Sequence, residues 1–446
     1  MIPLKRTAER AFAVLVLLLF TSALIPLLYA HGGTITAADE SQGDPKVQVV
    51  WAIIYLITFL LLATRWKYAV QVAARGKVLW VLVGIALASV LWSDLPGTTL
   101  RQSVALIGTT AFGVYLAARY EIGEQQRLVA WALAIAAVLS LAFALALPTY
   151  GASSGVDVPG WRGVYSQKNQ LGSTMALSTL VFLFLVLTSR KRRWIAGACL
   201  LLSFGLVILS KSMSALVVCT VLLALFPVYS VLRWRITLAV PLLTGTWLLV
   251  GGVVFWILSH AEAILGTLGR NATLTGRTGV WALVLAMIRE RPWLGYGYGG
   301  FWASGKGAYF SFALNGFEPT SAHNGFLDLW LQLGLLGVAV FVFTFLLALL
   351  RAAAWAHLSK STESLWPLMY LTFMLLYSIT ESSIMNRNDI FWALYAATIL
   401  SSLNRRDLSG SLGVEKQQSH RETTPSKNRT RISQAGARGI QRTHDQ

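Results

Sequence analysis

The sequence predicts an all-α polytopic membrane protein of about twelve transmembrane helices, with a large external loop between spans 9 and 10. Of its 446 residues 55% are hydrophobic and only 13% are charged, and the mean hydropathy is +0.60. The charges fall between long apolar runs instead of being scattered. A soluble domain carries about a quarter charged residues and cannot bury this much apolar surface. Lipid is therefore the main solvent of the chain.

About 20 apolar residues cross a bilayer as a helix. By that measure the first six spans cover approximately 11–30, 48–64, 78–93, 100–118, 128–148 and 170–188. The next six cover approximately 194–210, 214–232, 236–259, 323–350, 364–381 and 388–403, and the pair flanking Lys211 reads as broken or tilted. The first segment has a basic leader, but its apolar stretch is long and Leu28-Tyr29-Ala30 is a poor cleavage site, so a retained helix is expected. Trp80, Trp92, Trp194 and Trp392 lie near predicted helix ends, where interfacial anchors belong.

Basic residues orient the bundle. With the N-terminus inside, cytoplasmic connections hold Lys5, Arg6 and Arg10, then Arg65, Lys67, Arg75 and Lys77, then Arg119 and Arg127. They continue with Arg190-Lys191-Arg192-Arg193, Arg233, Arg235, Arg351 and Lys360. The opposite loops are poorer in cations, so both termini are expected in the cytoplasm. Residues 1–403 form the transmembrane helical domain, 260–322 the large loop within it, and 404–446 a polar, basic cytoplasmic tail. That tail has too few large apolar residues to bury a core, predicting disorder and attraction to anionic headgroups.

The net charge of +18 does not indicate nucleic acid, because no basic, aromatic-interleaved domain is present. Cys199 and Cys219 lie in apolar segments and form no metal-ligand or disulfide pattern. No metal or other cofactor is expected.

Candidate chemistry gathers on the non-cytoplasmic side. In the large loop, Gly276-Arg277-Thr278-Gly279 precedes a short amphipathic helix stopped by Pro292. The run Trp293-Leu294-Gly295-Tyr296-Gly297-Tyr298-Gly299-Gly300 follows. Its glycines suit either close backbone approach to a ligand or a tight re-entrant turn, and its aromatic faces suit sugar rings. No strand precedes this run and no Lys-Ser/Thr follows it, which excludes a nucleotide-binding loop. His323 and Asn324 open the tenth span. His323 is suited to proton transfer near neutral pH, or else is a polar residue at the helix mouth. Gly334 and Gly337, further along that span, suit close helix packing. The smaller loop holds Arg162, Lys168 and Asn169, and Lys211 marks another external junction. Each cation could be an interfacial snorkelling group; together with Arg277 they could surround a diphosphate.

In this order, segments 161–172, 276–302, 323–337 and 380–392 resemble the O-antigen ligase and polysaccharide polymerase superfamily of bacterial envelopes. They are most similar to its ExoQ-type exopolysaccharide-production branch. The most specific feature is the His323-Asn324 start with Gly334-Leu335-Leu336-Gly337 about ten residues later. The resemblance implies a metal-independent glycosyltransferase in the bacterial inner membrane, with its active site on the periplasmic face. The implied donor is an undecaprenyl-diphosphate-linked oligosaccharide, joined to a glycan acceptor, with membrane lipid and other export components as further partners. It also implies catalytic roles for His323, Arg277 and Arg162. Substrate contacts are expected from Lys168, Asn169, Lys211, Tyr296, Tyr298 and Asn324. Glu318, Asp328 and Glu381 are weaker candidates for a base or positioning group.

Polymerisation of an exopolysaccharide is the expected reaction, with ligation to lipid A–core as the alternative. A transporter or flippase of lipid-linked glycans is the contrasting class. Span interiors nearly free of charge and the lack of an internal repeat favour an interfacial enzyme instead.

Overall fold

The computed structural model describes residues 2–25, 45–153, 160–231, 277–304, 319–359 and 361–402, with Phe310, Leu314 and scattered positions between 237 and 252. The ninth expected span (236–259), residues 260–276 of the large loop and the tail 404–446 lie wholly or largely outside these residues, as do positions 26–30 of the first span.

Helices dominate. The first part of the bundle is α1 (Ile2–Phe20), α2 (Pro45–Ala63), α3 (Trp66–Arg75), α4 (Lys77–Ala88), α5 (Pro96–Arg119) and α6 (Ile122–Ala146). There follow α7 (Lys168–Thr188), α8 (Arg193–Leu209), α9 (Met213–Val231), α10 (Arg277–Glu290), α11 (Gly325–Leu358), α12 (Trp366–Thr380) and α13 (Ile390–Ser402). Among the described residues the strand content is one two-residue antiparallel pair, with Ala152 opposite Trp161 and Ser153 opposite Gly160. Five helices, α2, α6, α7, α9 and α11, are long and apolar enough to cross a membrane. A sixth crossing is reached if α3 and the α4 segment, bent by 88° at Gly76, are taken together. The chain is thus a multi-pass, all-α membrane protein. Helix α3 occupies a stretch read from sequence as a plain basic connection.

Local chemistry explains the boundaries. Pro96 opens α5 and Pro367 lies in the first turn of α12, where a missing N–H costs nothing. Helix α1 stops where Ser22 and Leu24 take left-handed backbone (φ 63° and 66°). Helices α8 and α9 are joined through Lys211, also left-handed at φ 52°. Close packing uses small residues. A Cβ on Gly113 of α5 would come within 2.7 Å of the Ala396 Cβ on α13. Trp392 departs from the sequence expectation of an interfacial anchor. It is fully buried and donates through Nε1 to Thr110 Oγ1 at 2.9 Å, because α13 runs through the interior beside α5. Trp194, by contrast, is 90% exposed.

Two polar ends flank the apolar belt. At one, Arg6 and Arg10 of α1 pair with Glu124 of α6, and Arg119 of α5 pairs with Glu9. At the other end of α1 and α5 lie Thr21, Ser22 and Gln102, which line the cavity described below.

Helix α11 is broken at Gly334 (φ 66°, ψ −171°). The break frees backbone groups that the loop after α10 satisfies. Tyr296 N and Gly297 N each donate at 2.9 Å, to Leu331 O and Gln332 O, while Leu335 N and Leu336 N donate to Pro292 O and Trp293 O. Irregular backbone at a membrane boundary requires such internal partners. A Cβ on Gly334 would lie 2.1 Å from the Trp293 carbonyl. Gly334 is therefore the crossing point of two backbones rather than a simple helix-packing glycine. Around this junction a second apolar core forms from Val280, Val284, Ile288, Tyr296, Phe301, Phe310, Ala322 and Leu331. The first three of these share one face of α10 at spacings of four.

Candidate functional site

A polar cavity of about 350 Å³ opens where the ends of α1, α7, α11, α12 and α13 converge. One wall carries Ser166, Gln167, Asn169 and Gln170; another carries Gln102, Tyr298, Trp302 and Gln332. The connection from α12 to α13 supplies Glu381, Ser382, Ser383, Asn386, Arg387, Asn388 and Asp389. His323 also lines it.

Glu381 is the hub. Its Oε1 accepts from Arg277 Nη2 at 2.7 Å and from Asn169 Nδ2 at 3.2 Å, while Oε2 lies 3.2 Å from His323 Nδ1. Arg277 Nη1 also donates to Thr380 O at 2.8 Å. The Arg277 and Glu381 side chains are only 17% and 13% exposed, so solvent screens the pair weakly. Three segments remote in sequence, around residues 169, 277 and 323, thus meet on one carboxylate. A carboxylate at Nδ1 selects the tautomer with the proton on Nδ1 and leaves Nε2 as the basic nitrogen of a neutral ring.

The backbone of His323 is left-handed (φ 48°) and is held by its neighbours. Ala322 O accepts from Trp281 Nε1 at 2.9 Å, and Ala322 N donates to Asp328 Oδ2 at 3.0 Å. The other oxygen of Asp328 accepts from Trp302 Nε1 at 2.8 Å. Asp328 is thereby committed to the turn that aims His323. Asn324 caps α11, its Oδ1 accepting from Phe326 N and Leu327 N at 3.0 and 3.1 Å while Nδ2 donates to Ile379 O.

Other expected residues are placed elsewhere. Tyr298 lines the cavity, its hydroxyl donating to Met385 O. Burial pushes that phenol's pKa up, with the Arg387 charge opposing the shift. Tyr296 sits in the second core instead, with its hydroxyl bonded to Glu290 Oε2 at 2.8 Å. Its pKa is pushed up to about 12 by burial and by Glu290, with Arg291 opposing. Arg162 donates through Nε to Tyr150 O at 2.5 Å and is not part of the cavity wall. Lys168, in the first turn of α7, and Lys211, at the α8–α9 junction, are not part of it either. The glycines of 295–300 meet protein backbone and side chains, not open space. A Cβ on Gly299 would overlap Gln102 Oε1.

Two residues gained importance only in three dimensions. Arg387 is the one Lys or Arg on the cavity wall among the described residues. Asp389 caps α13, with Oδ1 accepting from Phe391 N and Trp392 N at 2.6 and 3.3 Å. Burial pushes its pKa up to about 7 against those two hydrogen bonds. Their sequence signals were the clustering Asn386-Arg387-Asn388-Asp389 just before an apolar run and its place in the 380–392 segment of the family resemblance, neither of which singles out a role. Among the described residues no group of three or more His, Cys, Asp or Glu side chains is arranged to hold a metal ion. Glu318 lies outside the described residues.

A multi-pass helical bundle with a hydrogen-bonding cavity at one polar end defines the class of this protein by its architecture. Comparison with known proteins narrows the class. Residues 198–342 match the model of the O-antigen ligase family, a stretch that includes both Arg277 and His323. Over 276 residues the chain is 22% identical to the exopolysaccharide production protein ExoQ of Rhizobium meliloti (strain 1021). That alignment covers 58% of this chain and 62% of the relative, less than two thirds of its length. The resemblance to the O-antigen ligase and polysaccharide polymerase superfamily, on its ExoQ-like side, is borne out.

Proposed function

We propose that this protein is a glycosyltransferase that polymerises lipid-diphosphate-linked repeat units of an exopolysaccharide at the periplasmic face of the bacterial inner membrane. The observation that carries the proposal is the Arg277–Glu381–His323 cluster beside a polar cavity at one end of an apolar bundle. In this reading the acceptor hydroxyl transfers its proton to His323 Nε2 as its oxygen bonds to the anomeric carbon of the donor sugar. The bond from that carbon to the diphosphate oxygen breaks with inversion, and the lipid diphosphate departs with the electron pair. Glu381 holds the histidine tautomer and stabilises the imidazolium that forms. Arg277 fixes Glu381 and adds positive potential on that side of the cavity. Asn169 and Tyr298 contribute to substrate contact, and Asn324 to the placement of His323.

The basic cluster at the opposite end of α1 and α5 supports a cytoplasmic N-terminus, since such residues concentrate on that side. Twelve spans with both termini inside, a periplasmic loop 260–322 and a basic tail 404–446 belong to the same proposal. The family match favours one further reading, ligation of an undecaprenyl-diphosphate-linked glycan to lipid A–core.

The test replaces His323 or Arg277 by Ala and examines secreted polysaccharide and lipopolysaccharide separately. Loss of long exopolysaccharide with normal lipopolysaccharide is expected. Loss of O-antigen attachment alone would move the assignment to ligase. Unchanged amounts and lengths of both, with the variant present in the membrane, would refute a catalytic cluster here.

A further inference from the structure

We infer that α3 (Trp66–Arg75) is an interfacial helix that lies along one membrane surface and binds the headgroups of anionic phospholipids. It belongs to the end of the bundle away from the cavity, so it goes beyond the glycosyl-transfer reading and stands or falls on lipid contacts alone.

Helix α2 is long and apolar enough to have crossed the membrane when the chain reaches Arg65. The ten residues of α3 rise only about 15 Å, roughly half the thickness of a bilayer core. They also carry Lys67 and Arg75, so α3 makes no second crossing by itself. It runs at 88° to α4, and the elbow at Gly76 is fixed. Gly76 N and Trp80 Nε1 both donate to Ala73 O, at 3.0 and 3.1 Å. A Cβ on Gly76 would come within 2.7 Å of Leu400 Cδ2 on α13. Arg65 and Ala69 share a small crevice with Glu9 and Arg119, which places the helix at the polar end opposite the cavity. The carboxylate in that crevice is held by Arg119 at 2.6 Å.

At 3.6 residues per turn the positions of α3 sort into three strips, roughly 120° apart. The first, Ala69 and Val72, is buried toward the bundle, where α3 meets α5 and α13. The second, Trp66 and Val70, is apolar yet 61% and 57% exposed. The third, Lys67, Gln71 and Arg75, is polar and fully on the outside. The apolar strip follows directly on α2, whose Ile53, Leu56 and Leu60 are more than half exposed on a helix that crosses lipid. Trp66 and Val70 carry that lipid-facing surface round the corner, at the depth where tryptophan concentrates. The polar strip, extended by Arg65 and Lys77 at its two ends, is wholly basic in its charge: no Asp or Glu occurs between Asp44 and Asp94. An apolar edge at the acyl boundary beside a basic edge is the pattern of a helix that lies on anionic lipid. A zwitterionic headgroup balances its phosphate with its own cation, so charge selects the anionic phospholipid as the occupant.

The test uses the full-length protein in nanodiscs of mixed phosphatidylglycerol and phosphatidylcholine, in which one lipid or the other carries brominated chains. In a Cys199→Ser, Cys219→Ser background a bimane fluorophore is attached through Val70→Cys. Leu346→Cys, on the exposed side of α11, serves as the control position. Bimane at position 70 should be quenched by both lipids and more strongly by phosphatidylglycerol; at position 346 it should show no preference. Arg65→Gln with Lys67→Gln should lower the preference at position 70 by at least about fivefold, the effect of a single basic residue beside an anionic surface. Raised salt should weaken the preference in the same way. Bimane attached through Gln71→Cys, on the basic strip, should emit as a water-exposed probe. Absence of quenching at position 70 would overturn the inference by placing that edge in water or under a protein partner. Equal quenching by the two lipids, or a preference unchanged by the double charge variant, would overturn the anionic assignment. Glycan transfer enters none of these readings, so their failure leaves the enzyme assignment standing, and loss of the enzyme assignment leaves α3 untouched.

Discussion

Replacing Glu381 by Gln tests the hub of the site with almost no change in shape. The wild-type carboxylate accepts from Arg277 Nη2 at 2.7 Å and from Asn169 at 3.2 Å, and faces His323 Nδ1 at 3.2 Å. An amide offers a single acceptor oxygen and turns an NH₂ group toward one of the donors that the carboxylate satisfied. Removing one partner of a buried ion pair typically costs about 3–5 kcal/mol. With side chains 17% and 13% exposed and one oxygen retained, the lower end, about 3 kcal/mol, is the expected loss of stability. The larger effect should be kinetic. Without its carboxylate His323 loses the preference for the tautomer with Nε2 free, and general-base catalysis is worth roughly 10²–10⁴ in rate. The expected outcome is a fall in kcat of about a hundredfold or more, with donor KM much less affected. The assay is transfer from the native lipid-linked repeat unit by purified protein, paired with thermal unfolding in detergent. In the double variant with Arg277→Gln the losses should be less than additive, because the two residues act through one contact. A Glu381→Gln protein with wild-type kcat, or with its whole defect in donor KM, would refute the assignment of Glu381 as the residue that orients His323.

Gly334→Ala should cost more than about 3 kcal/mol and reduce membrane accumulation, because φ is 66° and the new Cβ would lie 2.1 Å from the Trp293 carbonyl. Gly84→Ala in α4, where a Cβ meets nothing within 4 Å, is the control and should be neutral or slightly stabilising by unfolding assay. Burial pushes the Asp389 pKa up to about 7 from the ordinary carboxylate range, so the folded state holds its proton more tightly than the unfolded chain. Its stabilising contribution is complete below about pH 4 and is lost as pH rises toward 7. Asp389→Asn, which resembles the protonated form, should flatten the pH dependence of unfolding across that window. An unchanged slope would argue against a protonated, buried carboxyl.

Legibility in the sequence was uneven for physical reasons. Apolar runs between basic loops located the helices well, since both signals are local and strong. The helix stopped before Pro292 was also visible, whereas Asn324, expected as a substrate contact, caps α11 through its side-chain oxygen. Trp392 was misread: a tryptophan at a helix end looks like an interfacial anchor until the helix is known to lie inside the bundle. The glycine run 295–300 left two readings open, and the backbone exchange with Leu331–Gln332 decides for the re-entrant turn. Tyr296 shared a motif with Tyr298, yet the two rings point into different cores.

Composition and charge order alone determine that this chain is a many-helix membrane protein with its candidate chemistry on one face. The solvent chooses the side-chain pattern of a span, and topology follows the basic residues. The ordered motifs add His323 and Arg277 as members of one site. Tertiary structure alone decides which carboxylate joins them and which cation faces the cavity. Glu381 meets partners from residues 169, 277 and 323, and the connection that carries Arg387 is held by Tyr55 of α2, Thr109 of α5 and Tyr298 of the large loop. Such contacts depend on helix packing and on left-handed turns at positions 323, 385 and 388, and no local pattern in the sequence encodes either.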